Sequence, residues 1–259
     1  MNKTQIINLW QNLGWHTLSD YHDYLKSTES RIVVDGLDAD KINPKEFWKA
    51  ADEHFYTDPV CNHNNLTESR LSIREANKLN YKIPLYMGMI GQTQGCVAEL
   101  KHKMGYVSLA EIGCGYGSFF DNFINNEKYE DIDYRGFDII PRTVSALEIE
   151  GNDGCFSLEQ VLKYKEKFNL FFSSNTFQHL SKKQAEKYLT QVYIMLPYEG
   201  MFNVMYVDSE SSYHYGQKIE LFDLNTFIQT AKNIGYSVVG TSTMEIVNSL
   251  TPYSFVLKK

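Results

Sequence analysis

Near the middle of the chain, an acid precedes three closely spaced glycines. Glu111 is followed by Gly113, Gly115 and Gly117, and the apolar run 106–112 leads directly into this turn. A strand that ends in such a turn brings backbone N–H groups and the start of a helix close to a ligand. The sequence therefore predicts that this turn binds a ligand.

The carboxylate of Glu111 indicates which class of ligand the turn can hold. The third glycine comes two residues after the second, so the spacing departs from the G-x-G-x-x-G pattern of dinucleotide sites. An acid at the mouth of a pyrophosphate site would repel the ligand, whereas it suits an ammonium group. S-adenosylmethionine (SAM) carries an ammonium group and a sulfonium but no phosphate. A tight turn that binds no ligand is the alternative interpretation.

A second acid stands where a ribose could be held. The apolar stretch 134–137 ends in Asp138, which comes 25 residues after Gly113. At roughly this distance, an acidic residue on the next strand can hydrogen-bond ribose hydroxyls. The two acids together predict a nucleoside ligand with a cationic tail.

These residues resemble those of the class I SAM-dependent methyltransferases. The first motif of that family, an acid, any residue and then G-x-G-x-G, is complete at 111–117. Its acid at the end of the second strand matches Asp138, and its fourth strand matches residues 168–174. The resemblance covers about residues 105–259 and implies that SAM is the cofactor. It does not specify the methyl acceptor.

The resemblance also implies a set of cofactor contacts. The third-strand element that contacts adenine is matched to residues 152–156. The residues expected around the cofactor are Glu111, Gly113, Cys114, Gly115, Gly117, Asp138, Ile139, Ser174 and Asn175.

Composition and charge exclude several classes of protein. The chain has 259 residues, of which 43% are hydrophobic, enough to form a packed core. No apolar run approaches the roughly 18 residues of a membrane span, and the first residues do not read as a signal peptide, so we expect a cytoplasmic protein. The net charge of −7 argues against nucleic acid as a partner. The four cysteines match no metal pattern and His54 and His63 have no third ligand at useful spacing, so no metal is expected.

The order of predicted elements indicates an α/β fold with a helical N-terminal region. Residues 1–104 show helical spacing of apolar residues and are expected to form a cap that contributes to substrate binding. From residue 105 to 259, strands and helices alternate, and Ser157 and Ser181 begin capping boxes. This pattern predicts a Rossmann-like, mostly parallel seven-stranded sheet with helices on both faces. The oligomeric state stays open, a homodimer included.

Two histidines could remove a proton from a hydroxyl acceptor. Methyl transfer from a sulfonium is an in-line displacement that depends on positioning and exclusion of water, and a hydroxyl also needs a base. His179 follows the fourth strand and is the first candidate, and His214 in the loop after the fifth strand is the second. Local hydrogen bonding at His179 and a solvated loop at His214 are the alternatives.

The acceptor is expected to bind between the cap and the ends of the strands. Polar residues cluster in the cap between apolar stripes, and further polar residues follow the fourth and fifth strands, where substrates are selected. A solvated turn and a solvated loop explain the same residues. The expected acceptor contacts are Tyr56, Asn65, Arg70, Gln178, Tyr206, Asp208 and Tyr213.

The sequence thus predicts a SAM-dependent methyltransferase that acts on an oxygen of a small polar acceptor. The chain is similar in general character to bacterial methyltransferases that modify surface polysaccharides at sugar hydroxyls or phosphoramidate groups, so a sugar, a nucleotide-linked metabolite or a phosphoramidate is expected. Methylation of a small amine and non-catalytic SAM binding are the alternatives. A nicotinamide-dependent oxidoreductase is a more distant one, which the glycine spacing and Glu111 disfavour.

Overall fold

The computed structural model of the chain describes residues 2–12, 14, 44–54, 84–115, 117, 119–124, 129–141, 143–144, 147–174, 176–208, 212–214, 217–219, 224–243 and 251–259. Within these ranges, six α-helices accompany one large β-sheet. The helices are α1 (Lys3–Asn12), α2 (Pro44–His54), α3 (Pro84–Met104), α4 (Leu158–Lys163), α5 (Lys182–Met195) and α6 (Leu224–Ile234). A π-helical turn covers Phe120–Ile124 and a 3₁₀ turn covers Phe177–His179.

Most strands of the sheet are parallel. The strands are β1 (Ser108–Ile112), β2 (Asp133–Asp138), β3 (Thr143–Val144), β4 (Leu147–Gly151), β5 (Leu170–Ser173), β6 (Met201–Asp208), β7 (Ser212–His214), β8 (Gln217–Ile219), β9 (Ser237–Thr243) and β10 (Thr251–Lys258). The large sheet has the order β3-β4-β2-β1-β5-β6-β10-β9, and β7 pairs with β8 in a separate hairpin. Strands β4, β2, β1, β5 and β6 are parallel, whereas β10 is antiparallel to both β6 and β9.

The predicted Rossmann-like, mostly parallel sheet is confirmed. Seven strands form its body, and the two-residue β3 adds a short antiparallel eighth at the edge. The predicted third strand at 152–156 is wrong, because β4 ends at Gly151 and the chain then turns. In that turn the side chain of Asn152 accepts a hydrogen bond from the N–H of Gly154 at 3.2 Å, a local bond that competes with a strand.

Alternating side chains along the strands build a core on each face of the sheet. Along β5, Phe171 packs into one core while its neighbours Leu170 and Phe172 pack into the other. The first core contains buried residues of α4, α5 and α6, and the second contains those of α3 and the π-helical turn. Helices thus cover both faces, as the period of two in the strands requires.

Helix ends and the N-terminal region follow local chemistry. The predicted capping boxes at Ser157 and Ser181 are confirmed at the starts of α4 and α5. Helix α1 packs on α2, where the rings of Trp10 and Phe47 meet edge to face at 5.6 Å. Helix α3 lies within the predicted cap, yet its buried residues belong to the second core of the sheet. Of the helices in the described ranges, none is both long and apolar enough to span a membrane.

Candidate functional site

The glycine turn after β1 is held by the neighbouring strand. The N–H groups of Gly113 and Cys114 both donate to the carbonyl oxygen of Phe137 in β2, at 2.8 and 3.2 Å. The N–H of Gly117 donates to the carbonyl of Cys114 at 2.9 Å. The turn therefore lies at the carboxyl ends of β1 and β2, where open α/β sheets bind their ligands.

Thr176 ties the loop after β5 to this turn. Its hydroxyl lies 3.2 Å from the carbonyl oxygen of Ile112 and 3.0 Å from that of Ser174. Gly113 has a φ of +73°, and a Cβ built there would lie 1.9 Å from Thr176 Oγ1. Position 113 is thus closed to any side chain. Thr176 is one of the polar residues that follow the fourth predicted strand, where the sequence predicts that cofactor and acceptor meet, but its hydrogen bonds were not predictable from sequence.

Glu111 is a buried carboxyl that lies beside the turn. It is 2% exposed, and the hydroxyl of Tyr134 in β2 donates a hydrogen bond to its Oε2. Burial raises the pKa of Glu111 to about 8, opposed by the Tyr134 hydrogen bond and reinforced by the charge of Asp138. Among the residues that the structure describes, no cation pairs with this carboxyl. A cationic ligand would therefore stabilise the ionised form of Glu111.

Asp138 caps the turn from the end of β2. Its Oδ2 accepts a hydrogen bond from the N–H of Gly115 at 2.8 Å, and its Oδ1 accepts one from the N–H of Ile140 at 2.9 Å. Ile139, which lies between Asp138 and Ile140 in the chain, is partly buried. The predicted cofactor residues Glu111, Gly113, Gly115 and Asp138 are thus brought together, with two acids on adjacent strands and glycine backbone between them.

His179 lies at the end of the 3₁₀ turn that follows β5. Its ring meets that of Trp48 in α2 edge to face, with ring centroids 5.1 Å apart. Burial lowers the pKa of His179 to about 3, and its Nδ1 is shielded from solvent. The imidazole is therefore neutral near pH 7. A neutral ring can accept a proton, but one with so low a pKa is a weak base.

Helix α2 contacts two loops at the carboxyl edge of the sheet. Besides the contact between Trp48 and His179, the Lys45 ammonium pairs with Asp153 Oδ1 at 2.5 Å in the loop after β4. These two contacts connect α2 to the loops after two different strands of the sheet. The predicted N-terminal cap stays a prediction. No pattern in the sequence indicates either contact.

The structure describes only some of the predicted acceptor residues. Tyr206 is 0% exposed and its ring stacks on Phe227 in the first core, with centroids 4.5 Å apart, which favours packing over acceptor binding. Asp208 ends β6, and Tyr213 and His214 lie on β7, but the structure describes only their backbone. The same holds for Gln178 in the 3₁₀ turn. Ser174 is buried beside Thr176. Four predicted residues lie outside the described ranges: Tyr56, Asn65, Arg70 and Asn175.

Comparison with known proteins identifies the fold. No protein-family model matches the chain, and no curated protein matches it. A solved SAM-dependent methyltransferase from Archaeoglobus fulgidus shares 14% identity, with 74% of this chain and 97% of that chain covered and a TM-score of 0.52. The CurJ carbon methyltransferase shares 12% identity, with 81% and 63% covered and a TM-score of 0.55. This chain thus spans less than two thirds of the CurJ chain. At these identities the likeness shows a fold shared with SAM-dependent methyltransferases.

Proposed function

We propose that this chain is a SAM-dependent methyltransferase. The observation that carries the proposal is the pair of carboxyls, Glu111 and Asp138, at either side of the glycine turn. A dinucleotide would place its phosphates against the carboxylate of Glu111, which repels them, whereas an ammonium group would find in Glu111 a buried carboxyl with no cation among its described neighbours. The two similar solved structures named above are methyltransferases, which agrees with this choice.

The residues present fit SAM by their chemistry. Glu111 would hold the cationic amino-acid portion, Asp138 the ribose, and the turn at Gly113 would let the backbone approach the ligand without a side chain. When bound, SAM supplies a methyl group on a positively charged sulfur. The chain has to hold an acceptor in line with that group and keep water out.

For the acceptor, we favour an oxygen of a small polar molecule. His179 lies after β5, next to the residues that approach the turn, and its neutral ring could take the proton of a hydroxyl. The net charge of −7 favours a metabolite over nucleic acid. A sugar, a nucleotide-linked sugar or a phosphoramidate group in surface polysaccharide synthesis is the proposed class.

Methylation of a small amine is the second candidate, and one observation favours it. The pKa of His179 is lowered to about 3 by burial, so its ring is poorly suited to deprotonate a hydroxyl. An amine that is already neutral needs no strong base. The two candidates differ in how much they depend on this side chain.

The test is product identification with labelled SAM. The protein is incubated with methyl-labelled SAM and fractionated small metabolites, and the labelled product is identified by mass. An oxygen-methylated product that the His179→Ala variant no longer forms supports the first candidate. An N-methylated product still formed by that variant supports the second. Binding of SAM with no transfer to any fraction would contradict both and indicate a non-catalytic protein.

A further inference from the structure

Every second residue of β2 faces the same side of the sheet, and one side carries Tyr134, Gly136 and Asp138. Glu111 of β1 is paired in register with Gly136. Gly136 has no side chain, and a Cβ there would lie 2.8 Å from Cys114 Sγ, so no side chain of β2 stands between Tyr134 and Asp138 on this face. Glu111 therefore has Tyr134 on one side and Asp138 on the other.

Tyr134 has defined partners at both ends. Its hydroxyl donates to Glu111 Oε2. Its ring contacts that of Phe120, with centroids 5.0 Å apart, and Phe120 belongs to the π-helical turn that follows the glycine turn. The phenol is thus fixed between the strand and the segment that leaves the glycine turn.

Of the two ionisable neighbours of Glu111 on β2, only Tyr134 favours the charged carboxylate. The charge of Asp138 opposes ionisation, and the strand on the other side of β1 places Phe172 opposite Glu111. A hydrogen bond donated to a carboxylate stabilises the charged form over the neutral one. If the Tyr134 hydroxyl were removed, burial and the charge of Asp138 would raise the pKa of Glu111 with no hydrogen bond from Tyr134 to oppose them.

From this arrangement we infer that Tyr134 is a positioning residue for the cofactor: it holds Oε2 of Glu111 and keeps this buried carboxyl ready to ionise as a cationic ligand enters. The inference rests on the proposed function, because it takes the ammonium group of SAM as the cation. Binding is then coupled to release of one proton from Glu111.

The coupling predicts a particular dependence of affinity on pH. The Tyr134 hydrogen bond is present in both the free ionised site and the loaded site. Its loss should therefore change the ionisation equilibrium and leave the intrinsic affinity of the ionised site unaltered. A hydrogen bond to a charged group shifts a pKa by about one unit or more, so Tyr134→Phe should weaken SAM binding about tenfold at pH 6 to 7. As the carboxyl ionises, the difference in SAM affinity between the wild type and Tyr134→Phe should narrow to about threefold at pH 8.5.

The experiment measures Glu111 and the ligand separately. Carbon-13 carboxyl NMR of the ligand-free protein, assigned with Glu111→Gln, follows the titration of Glu111 in the wild type and in Tyr134→Phe. Calorimetry of SAM binding between pH 6 and 8.5, in two buffers with different ionisation enthalpies, gives affinity and proton release. Tyr236→Phe is the matched control, because it removes a buried tyrosine hydroxyl that donates to the Leu189 carbonyl at 2.9 Å, away from the turn.

We expect Tyr134→Phe to raise the titration midpoint of Glu111 and to show the narrowing gap in affinity, while Tyr236→Phe follows the wild type in both. An unchanged midpoint would overturn the inference, as would a loss of affinity that is equal at every pH. A wild-type protein that does not bind SAM, but whose Glu111 midpoint still moves in Tyr134→Phe, would contradict the proposed function and leave the effect of Tyr134 on Glu111 standing.

Discussion

Replacing Glu111 with glutamine should reduce the loss of folding stability that the ligand-free protein undergoes as the pH rises. The pKa of Glu111 is raised from an ordinary value of 4.5 to about 8, chiefly by burial. The stability associated with its neutral form is fully present below about pH 4.5 and is lost as the pH rises to about 8. At about 1.4 kcal/mol per unit, the loss between pH 5 and 8 is about 4 kcal/mol. Glutamine cannot ionise and keeps an oxygen that can accept the Tyr134 hydrogen bond, so the variant should avoid this loss.

The assay is urea unfolding of the wild type and Glu111→Gln at pH 5, 6, 7 and 8. The two proteins should have similar free energies of unfolding at pH 5, and the variant should be the more stable by about 4 kcal/mol at pH 8. Glu150→Gln is a control of opposite sign: burial raises the pKa of Glu150, but hydrogen bonds from Tyr164 and Gln160 hold it below its ordinary value. That variant should gain nothing as the pH rises. A difference between Glu111→Gln and the wild type that stays constant with pH would refute the account of Glu111.

Three further outcomes follow from single contacts. Gly113→Ala should lower the free energy of unfolding by about 1–3 kcal/mol, because the backbone is left-handed at this position and the added Cβ would collide with Thr176 Oγ1. The double variant Gly113→Ala, Thr176→Ala should recover part of the lost stability, as measured by urea unfolding. Trp48→Ala should expose the ring of His179 and move its pKa upward from about 3 toward 6.5, followed by NMR; an unmoved pKa would mean that α2 does not bury the ring. Tyr236→Phe should lower the free energy of unfolding by about 1 kcal/mol without weakening SAM binding. Weaker SAM binding in this variant would contradict the placement of Tyr236 away from the glycine turn.

The cofactor side of the site was largely predictable from sequence because it depends on short segments. Gly113 to Gly117 and Asp138 each lie within a few residues of a strand end, and parallel pairing brings those ends together. The capping boxes at Ser157 and Ser181 were predictable for the same reason, since their hydrogen bonds span three residues.

The residues that were missed depend on tertiary contacts. The hydrogen bond from Tyr134 to Glu111 requires the register of β1 against β2, and the contact of Trp48 with His179 joins segments more than a hundred residues apart. Tyr206 was expected at the acceptor because it is polar-tipped and near a strand end, but the alternation along β6 directs it into the first core. No local pattern indicates the contacts of Tyr134 and Trp48.

The central claim is that Glu111 holds the cationic tail of SAM while Asp138 holds its ribose. Calorimetry at pH 8.5 with SAM and with methylthioadenosine, which lacks the amino-acid tail, tests it directly. Glu111→Gln should weaken SAM binding about tenfold or more while hardly changing methylthioadenosine binding, and Asp138→Asn should weaken both. Equal affinities for SAM in both variants and the wild type would contradict the account.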